Sequence, residues 1–444
     1  MDRTENAILT GPILPSLLKF AIPVLLALFL QALYGAVDLW AVGTFGTPAD
    51  VSAVSIGSQT ILIVTGMITG LSMGTTIWLG QKLGEKNDTA AADAVGTSIW
   101  MFAILGIVLT LVMVAAAPLI ASMMNTPSDA FAKTVTYIRI CGAGTVFTVA
   151  YNVMSSIFRG LGDSKAPLLF VGIACVVNIA GDILLILVFH LGTAGAAIAT
   201  ISAQAVSVVF SLYLMKKRGF PFPFTRANLV LKKDSAKRML RLGAPIALQE
   251  MCNEISFLVL IGFVNILGIT ASAGVGIAER LVMFILLIPT SYMSSISVFV
   301  AQNTGAGQIR RARSSMWLGM LTAMLLGGIM AYLSFFHGDM LSSIFIKEPP
   351  VIAASAEFLK ATAMECFILS AAYCFTGYFN GIGKTTFVMG QGLCAIFLVR
   401  IPYAWYASRR PNPRLFQIGM SAVLAAVFML LVCVGYYVWE RRKS

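Results

Sequence analysis

Long stretches without a single charged residue decide what this chain can become. Val51 to Gln81, Ala94 to Ser128, Leu191 to Met215, Leu281 to Ile309 and Leu415 to Trp439 contain no Asp, Glu, Lys or Arg. About 20 apolar residues cross the hydrocarbon core of a bilayer as one helix. Lipid offers no partner for backbone N–H and C=O groups, so a spanning run must close its hydrogen bonds internally. The runs also lack the alternating polar residues of a barrel strand. Composition agrees: 58% of the 444 residues are hydrophobic and 11% are charged, against about 25% charged in an ordinary soluble domain. A water-soluble fold is excluded. The expectation is an all-α polytopic membrane protein with about twelve transmembrane helices.

One such run, Pro167 to His190, carries Asp182 as its sole formal charge. A carboxylate in mid-membrane costs about 2.5–3.5 kcal/mol on insertion scales, so it faces a cavity or a partner rather than lipid. Asn178 stands one helical turn earlier, on the same face. At 1.5 Å per residue, Asp38 lies roughly 10 Å inward of Phe45, Asp182 roughly 12 Å inward of His190, and Thr200 roughly 10 Å beyond Thr193. Three spans thus bring oxygen ligands to one level. Hard oxygens suit sodium, and a sheltered carboxylate equally carries a proton. The alternative is a structural polar cluster whose members satisfy one another. The second half places Glu250 and Glu254 in the seventh span, Glu279 in the eighth and Glu365 in the tenth. Glu250 and Glu254 are one turn apart and repel if both ionise. Glu279 stands beside Arg280, where a structural ion pair with another helix is an equal reading. These acids outnumber the bases within the spans, Arg139, Arg280 and Lys360. The surplus favours organic cations as solutes.

The net charge of +12 reads as topology rather than as a nucleic-acid surface. Arg3, Lys19, Lys82, Lys86, Arg159, Lys165, Arg310, Arg311, Arg313, Lys384 and Arg441 to Lys443 fall on one side, with the basic stretch Lys216 to Arg241. Lys133, Lys347, Arg400, Arg409, Arg410 and Arg414 fall on the other. The positive-inside rule then puts both termini in the cytoplasm of a multi-pass cell-membrane protein. The halves repeat: Pro23 matches Pro245, Gln81 matches Gln302, Gly84 matches Gly305, and Phe158 to Gly162 (FRGLG) matches Phe379 to Gly383 (FNGIG). Such self-similarity signals duplication. The expected organisation is a six-helix lobe over 1–218, a cytoplasmic basic linker over 219–238 and a second six-helix lobe over 239–444. With an even number of spans per copy, the lobes are expected to be related by a pseudo-twofold axis along the membrane normal. The seven cysteines show no close-spaced pair and read as packing residues. His190 and His337 sit at span ends.

The run Leu18 to Pro23 (LKFAIP), Gln31 to Tyr34 (QALY), Val37-Asp38, Gly80 to Gly84 (GQKLG), Arg159 to Asp163 (RGLGD), Gly192 to Thr200 (GTAGAAIAT) and Ala301 to Gly307 (AQNTGAG) together resemble the multidrug and toxic compound extrusion (MATE) family. The resemblance covers essentially the whole chain. It implies two six-helix lobes and a secondary transporter that exports organic cations in exchange for inward Na+ or H+. It also implies a cation site at Asp38, Asn178, Asp182 and Thr200, with Na+ on Asp38, Asn178 and Asp182 if sodium is the coupling ion. Some branches place a coupling carboxylate in the seventh span, which here falls on Glu254. Neither catalytic residues nor a cofactor are expected, and the protein is expected to work as a monomer in lipid. A flippase for lipid-linked oligosaccharides of the same superfamily is the alternative, and it would need basic residues lining its cavity. A membrane-embedded enzyme would need a buried His, Ser or Cys with an oriented base. The stretch Gly377 to Thr385 approximates a phosphate loop, but Tyr378 stands where that motif needs glycine.

Overall fold

The computed structural model describes residues 7–443; Arg3 lies outside them. No strand occurs among these residues. The first half contains α1 (Ile13–Phe45), α2 (Pro48–Gly84), α3 (Asp88–Met123), α4 (Ser128–Ala143), α5 (Thr145–Gly160), α6 (Lys165–Val188) and α7 (Gly192–Arg218). The second contains α8 (Lys233–Asn265), α9 (Ile269–Gly305), α10 (Ile309–Phe336), α11 (Pro349–Gly381), α12 (Thr385–Ser408) and α13 (Leu415–Lys443). Eleven of these are each long and apolar enough to span a membrane, and the count is twelve if α4 and α5, bent by 47°, form one span. Counted so, six spans belong to each half.

Helices form and end where local chemistry dictates. Thr47 caps α2 through a capping box with Asp50, with proline at the next position. Asn87 caps α3 by accepting from the Ala90 N–H. Pro23 and Pro245 lie inside α1 and α8. The α9 span breaks at Leu286, three residues before Pro289, because proline cannot continue the hydrogen-bond ladder.

The chain packs into two compact units, and their boundary crosses both helices that contain the matched prolines. One unit is Ile22–Ala247 with the short turn Ala7–Thr10; the other runs from Leu248 onward and includes Gly11–Ala21. The segment 219–232 that joins α7 to α8 is ordered on the first unit. Trp100 Nε1 donates to the Leu229 carbonyl at 2.9 Å, and Lys232 pairs with Asp93 at 2.8 Å. Lys237 and Arg238, expected in the linker, lie within α8.

Apolar side chains gain little by leaving lipid for protein, so close backbone approach carries much of the packing. In the first unit α2 and the start of α8 touch through glycine. A β-carbon on Gly74 would lie 2.3 Å from the Met239 carbonyl oxygen, and one on Gly243 2.3 Å from that of Leu71. In the second unit α11 is central: 67% of its apolar stretch is buried, against 17% for α3. The exposed Ile104, Ile107, Val108 and Leu111 of α3 form a surface suited to acyl chains.

Candidate functional site

The first unit positions its acids through the ends of three helices. Asp50, in the first turn of α2, accepts from the Thr193 hydroxyl at 2.5 Å and pairs with Lys133 of α4 at 2.9 Å. Its other oxygen accepts from the Thr47 hydroxyl at 2.6 Å. Gly192 permits this approach: its φ is +52°, and a β-carbon there would lie 3.0 Å from Asp50 Oδ1. The start of α7 is thereby fixed, and Thr200 follows Thr193 by two turns on the same face. On α6, Asp182 ends the α-helical part and a π-helical turn, Ile183–Val188, follows. Such turns occur frequently at functional sites.

Asp38 of α1, Asn178 and Asp182 of α6 and Thr200 of α7 come together. The Asp38 carboxyl faces Asp182, Asn178 and Thr200. Thr200 Oγ1 lies 3.2 Å from Asp38 Oδ2 and 3.0 Å from the Ala196 carbonyl oxygen, and its single proton serves one at a time. Asn178 Nδ2 lies 3.5 Å from Thr200 Oγ1. Asp38 is 7% exposed, and Asn178 and Asp182 are 1% exposed. Asp38 Oδ1, Asn178 Oδ1 and both Asp182 oxygens are buried with no hydrogen-bond partner among the described residues. A buried acceptor left unmade costs about 1–3 kcal/mol, more if charged. This set is rich in acceptors and poor in donors, which is the chemistry that takes a cation or a proton. Tyr34, one turn before Asp38, is also its neighbour; the i−4 spacing within α1 is the signal for it in the sequence.

The second unit gathers Glu250, Glu254 and Glu365 around Tyr373 and Arg400. Arg400 is the charged neighbour of both Glu254 and Glu365. Its Nη1 donates to Asn253 Oδ1 at 3.2 Å, and its Nε is buried without a partner. This corrects the expectation that Arg400 belongs to an outer loop. It sits inside α12, at the end of the π-helical stretch Ala395–Arg400, and joins Arg139, Arg280 and Lys360 as a base within the spans. Glu279 stands apart from this group, with Arg280 as its charged neighbour and one oxygen buried without a partner.

Comparison with known proteins assigns the family. The MatE family matches residues 23–184 and 245–406, two stretches that begin at the repeated prolines. The chain belongs to the MatE family. Over 437 residues this MatE chain is 26% identical to the probable multidrug resistance protein YoeA of Bacillus subtilis, covering 96% of this chain and 94% of the relative. Over 453 residues it is 22% identical to a FAD transporter of Shewanella oneidensis, covering 99% and 97%. The fold superposes on an outward-facing multidrug resistance MATE transporter of the MOP superfamily with a TM-score of 0.92 at 19% identity, covering 100% of this chain and 98% of that one. Asp38, Asn178 and Asp182 lie in the first matched stretch, and Glu250, Glu254, Glu365 and Arg400 in the second. MatE proteins are multi-pass membrane transporters. The glycine-rich stretch from Gly377 accordingly closes a helix, α11, and follows no strand.

Proposed function

We propose that this MatE protein is a secondary multidrug exporter that moves organic cations out of the cell in exchange for inward Na+ or H+. Asp38, Asn178, Asp182 and Thr200 hold the coupling ion, and both termini lie in the cytoplasm. The reading rests on one observation: four buried acceptor oxygens of three side chains lack partners at the point where two carboxyls face each other. Facing carboxylates repel, and a bound cation or a shared proton removes that repulsion. Occupancy therefore tightens α1 against α6 and α7, and release loosens them, which gives the ion a differential affinity for two states of the first unit. The names of the multidrug relatives support drug export. Arg400 favours a second reading, in which the carried solute has an anionic group as well as a positive one, in keeping with the FAD transporter among the relatives.

Purified protein in lipid vesicles tests the coupling reading. A fluorescent organic cation is loaded, and a sodium gradient or a pH gradient is imposed alone. One of the two is expected to drive exchange in the native protein and neither in Asp38→Asn. Exchange indifferent to both gradients would sink the proposal. A flavin nucleotide moved in preference to the cation would establish the second reading.

A further inference from the structure

Polar residues continue from the acidic cluster through the first unit. One turn beyond Thr200 on α7, Gln204 accepts from the Thr148 hydroxyl of α5. Asn152 donates to the Thr148 carbonyl at 2.8 Å and accepts from the Thr69 hydroxyl of α2 at 3.0 Å. Ser72 donates to the Thr69 carbonyl at 2.9 Å, and its oxygen accepts from Ser156 at 2.9 Å. Arg159 Nη2 donates to the Ser156 hydroxyl at 3.3 Å. Thr148, Asn152, Ser156 and Arg159 share one face of α5 over roughly 16 Å. A second line runs beside it: Tyr34, next to Asp38, neighbours Tyr151, and Tyr151 neighbours Arg159. Ser72 and Ser156 are fully buried, Asn152 is 6% exposed, and Ser155, beside Tyr151, is 4% exposed.

Isolated hydroxyl and amide bonds between helices are ordinary glue. That role does not account for a file that begins at two carboxyls and ends at a guanidinium. Arg159 Nε is buried without a partner. The acid one turn away, Asp163, is committed elsewhere. Its Oδ2 pairs with Arg218 at 2.6 Å, and its Oδ1 caps α6 by accepting from the N–H groups of Lys165 and Ala166 at 2.9 and 3.1 Å. The Arg159 charge is left standing at the end of the file, where it opposes any cation approaching along it. The matching position of the second repeat holds uncharged Asn380.

We propose that this file is the route by which the coupling ion leaves Asp38 toward the cytoplasmic side, and that Arg159 is the charge that keeps it shut until the guanidinium moves aside. The inference rests on the coupling site proposed above. Removing the charge opens a leak, and removing a polar step blocks the route.

In substrate-free vesicles, Arg159→Gln is expected to raise the sodium or proton leak about tenfold, and Arg159→Lys to stay tight. Asn152→Leu is expected to close the Arg159→Gln leak and, alone, to slow gradient-driven exchange about tenfold with organic-cation binding unchanged. A tight Arg159→Gln protein with normal exchange overturns the proposal. So does full exchange by Asn152→Leu, which keeps the test available if Arg159→Gln does not fold. Asp38→Asn separates the two claims. If it exchanges normally, the coupling site and its route both fall; if it is dead while the Asn152 and Arg159 variants behave as native, only the route falls.

Discussion

In the first unit Asp38 and Asp182 face each other with Asn178 and Thr200 as company, and neither forms an ion pair among the described residues. In the second, Glu254 and Glu365 face a guanidinium, Arg400, anchored on Asn253. The two halves descend from one repeat, matched from Pro23 and from Pro245. Their buried acids have nonetheless been given opposite electrostatic settings. One cluster must obtain positive charge from outside, and the other carries it on its own chain. On the function proposed above, an exchangeable cation belongs with the first. A tethered cation cannot leave, so the second suits a solute that competes with Arg400 for the carboxylates or binds the guanidinium itself.

The largest effect should come from breaking the first side of this comparison. Asp38→Asn or Asp182→Asn removes the repulsion that an incoming cation relieves, and gradient-driven exchange is expected to fall to that of protein-free vesicles while the protein still reaches the membrane. Export of dye by both variants at the native rate would remove the first unit from coupling. Next in size is Arg400→Gln, which makes the second unit resemble the first. Withdrawing one member of a buried charge group costs about 3–5 kcal/mol when the pairing is close; Arg400 is held by Asn253 at 3.2 Å and forms no ion pair among the described residues, so a loss of about 1–3 kcal/mol is expected. Thermal unfolding in detergent should show that loss, and added sodium or acid should restore more stability to the variant than to the native protein, since a ligand stabilises the state it binds. Equal responses of the two proteins would mean that Arg400 does not stand in for a cation. Adding Glu254→Gln should recover part of the loss, and a cycle of the two variants isolates their coupling.

The sequence carried the first cluster well and the second poorly, for physical reasons. Asp38 and Asp182 were legible because each is the sole acid of an apolar run, Asn178 because it stands one turn from Asp182, and Thr200 because helical rise puts it at their depth. Arg400 was not. Pro402 follows it, and Arg409, Arg410, Pro411 and Pro413 lie beyond, so the region reads as a charged, proline-rich loop. The helix continues to Ser408 because the stretch Ala395–Arg400 is π-helical. The wider turn accommodates a ring that lacks an N–H and crowds the carbonyl four residues earlier. The Asp50 to Thr193 and Thr148 to Gln204 bonds join residues far apart in the chain, and no local pattern announces them.

A smaller effect separates ligand from scaffold within the first cluster. Thr200→Val keeps the shape and removes the hydroxyl that reaches Asp38. Losing one neutral oxygen among several costs about 0.5–1.5 kcal/mol, which weakens the apparent affinity for the coupling ion up to about tenfold. The maximal exchange rate should hold at saturating sodium or low external pH. A fall in maximal rate at unchanged affinity would make Thr200 part of the moving packing instead of a ligand.

The smallest effect on exchange, though not on stability, lies at the rim, where the repeats also part. Asp50 ties α2, α4 and α7 together through Thr47, Lys133 and Thr193; at the matching position, Ser272 makes a single bond to Asn265 at 2.7 Å. Asp50→Ser therefore writes the second unit's rim into the first. The Lys133 side chain is 40% exposed, and an ion pair with one partner in water contributes about 0–1 kcal/mol. The Thr193 bond is shielded and accepts onto a carboxylate, so it contributes more, about 1.5–3 kcal/mol. The expected outcome is a loss of about 2–3 kcal/mol that salt barely changes, with weaker ion binding because Thr200 rides on the freed end of α7. Thr193→Val should reproduce most of the loss and Lys133→Met little of it. If Lys133→Met proves the more damaging, charge and not the hydroxyl bond holds the rim, and the link from Asp50 through α7 to the proposed cation site loses its basis.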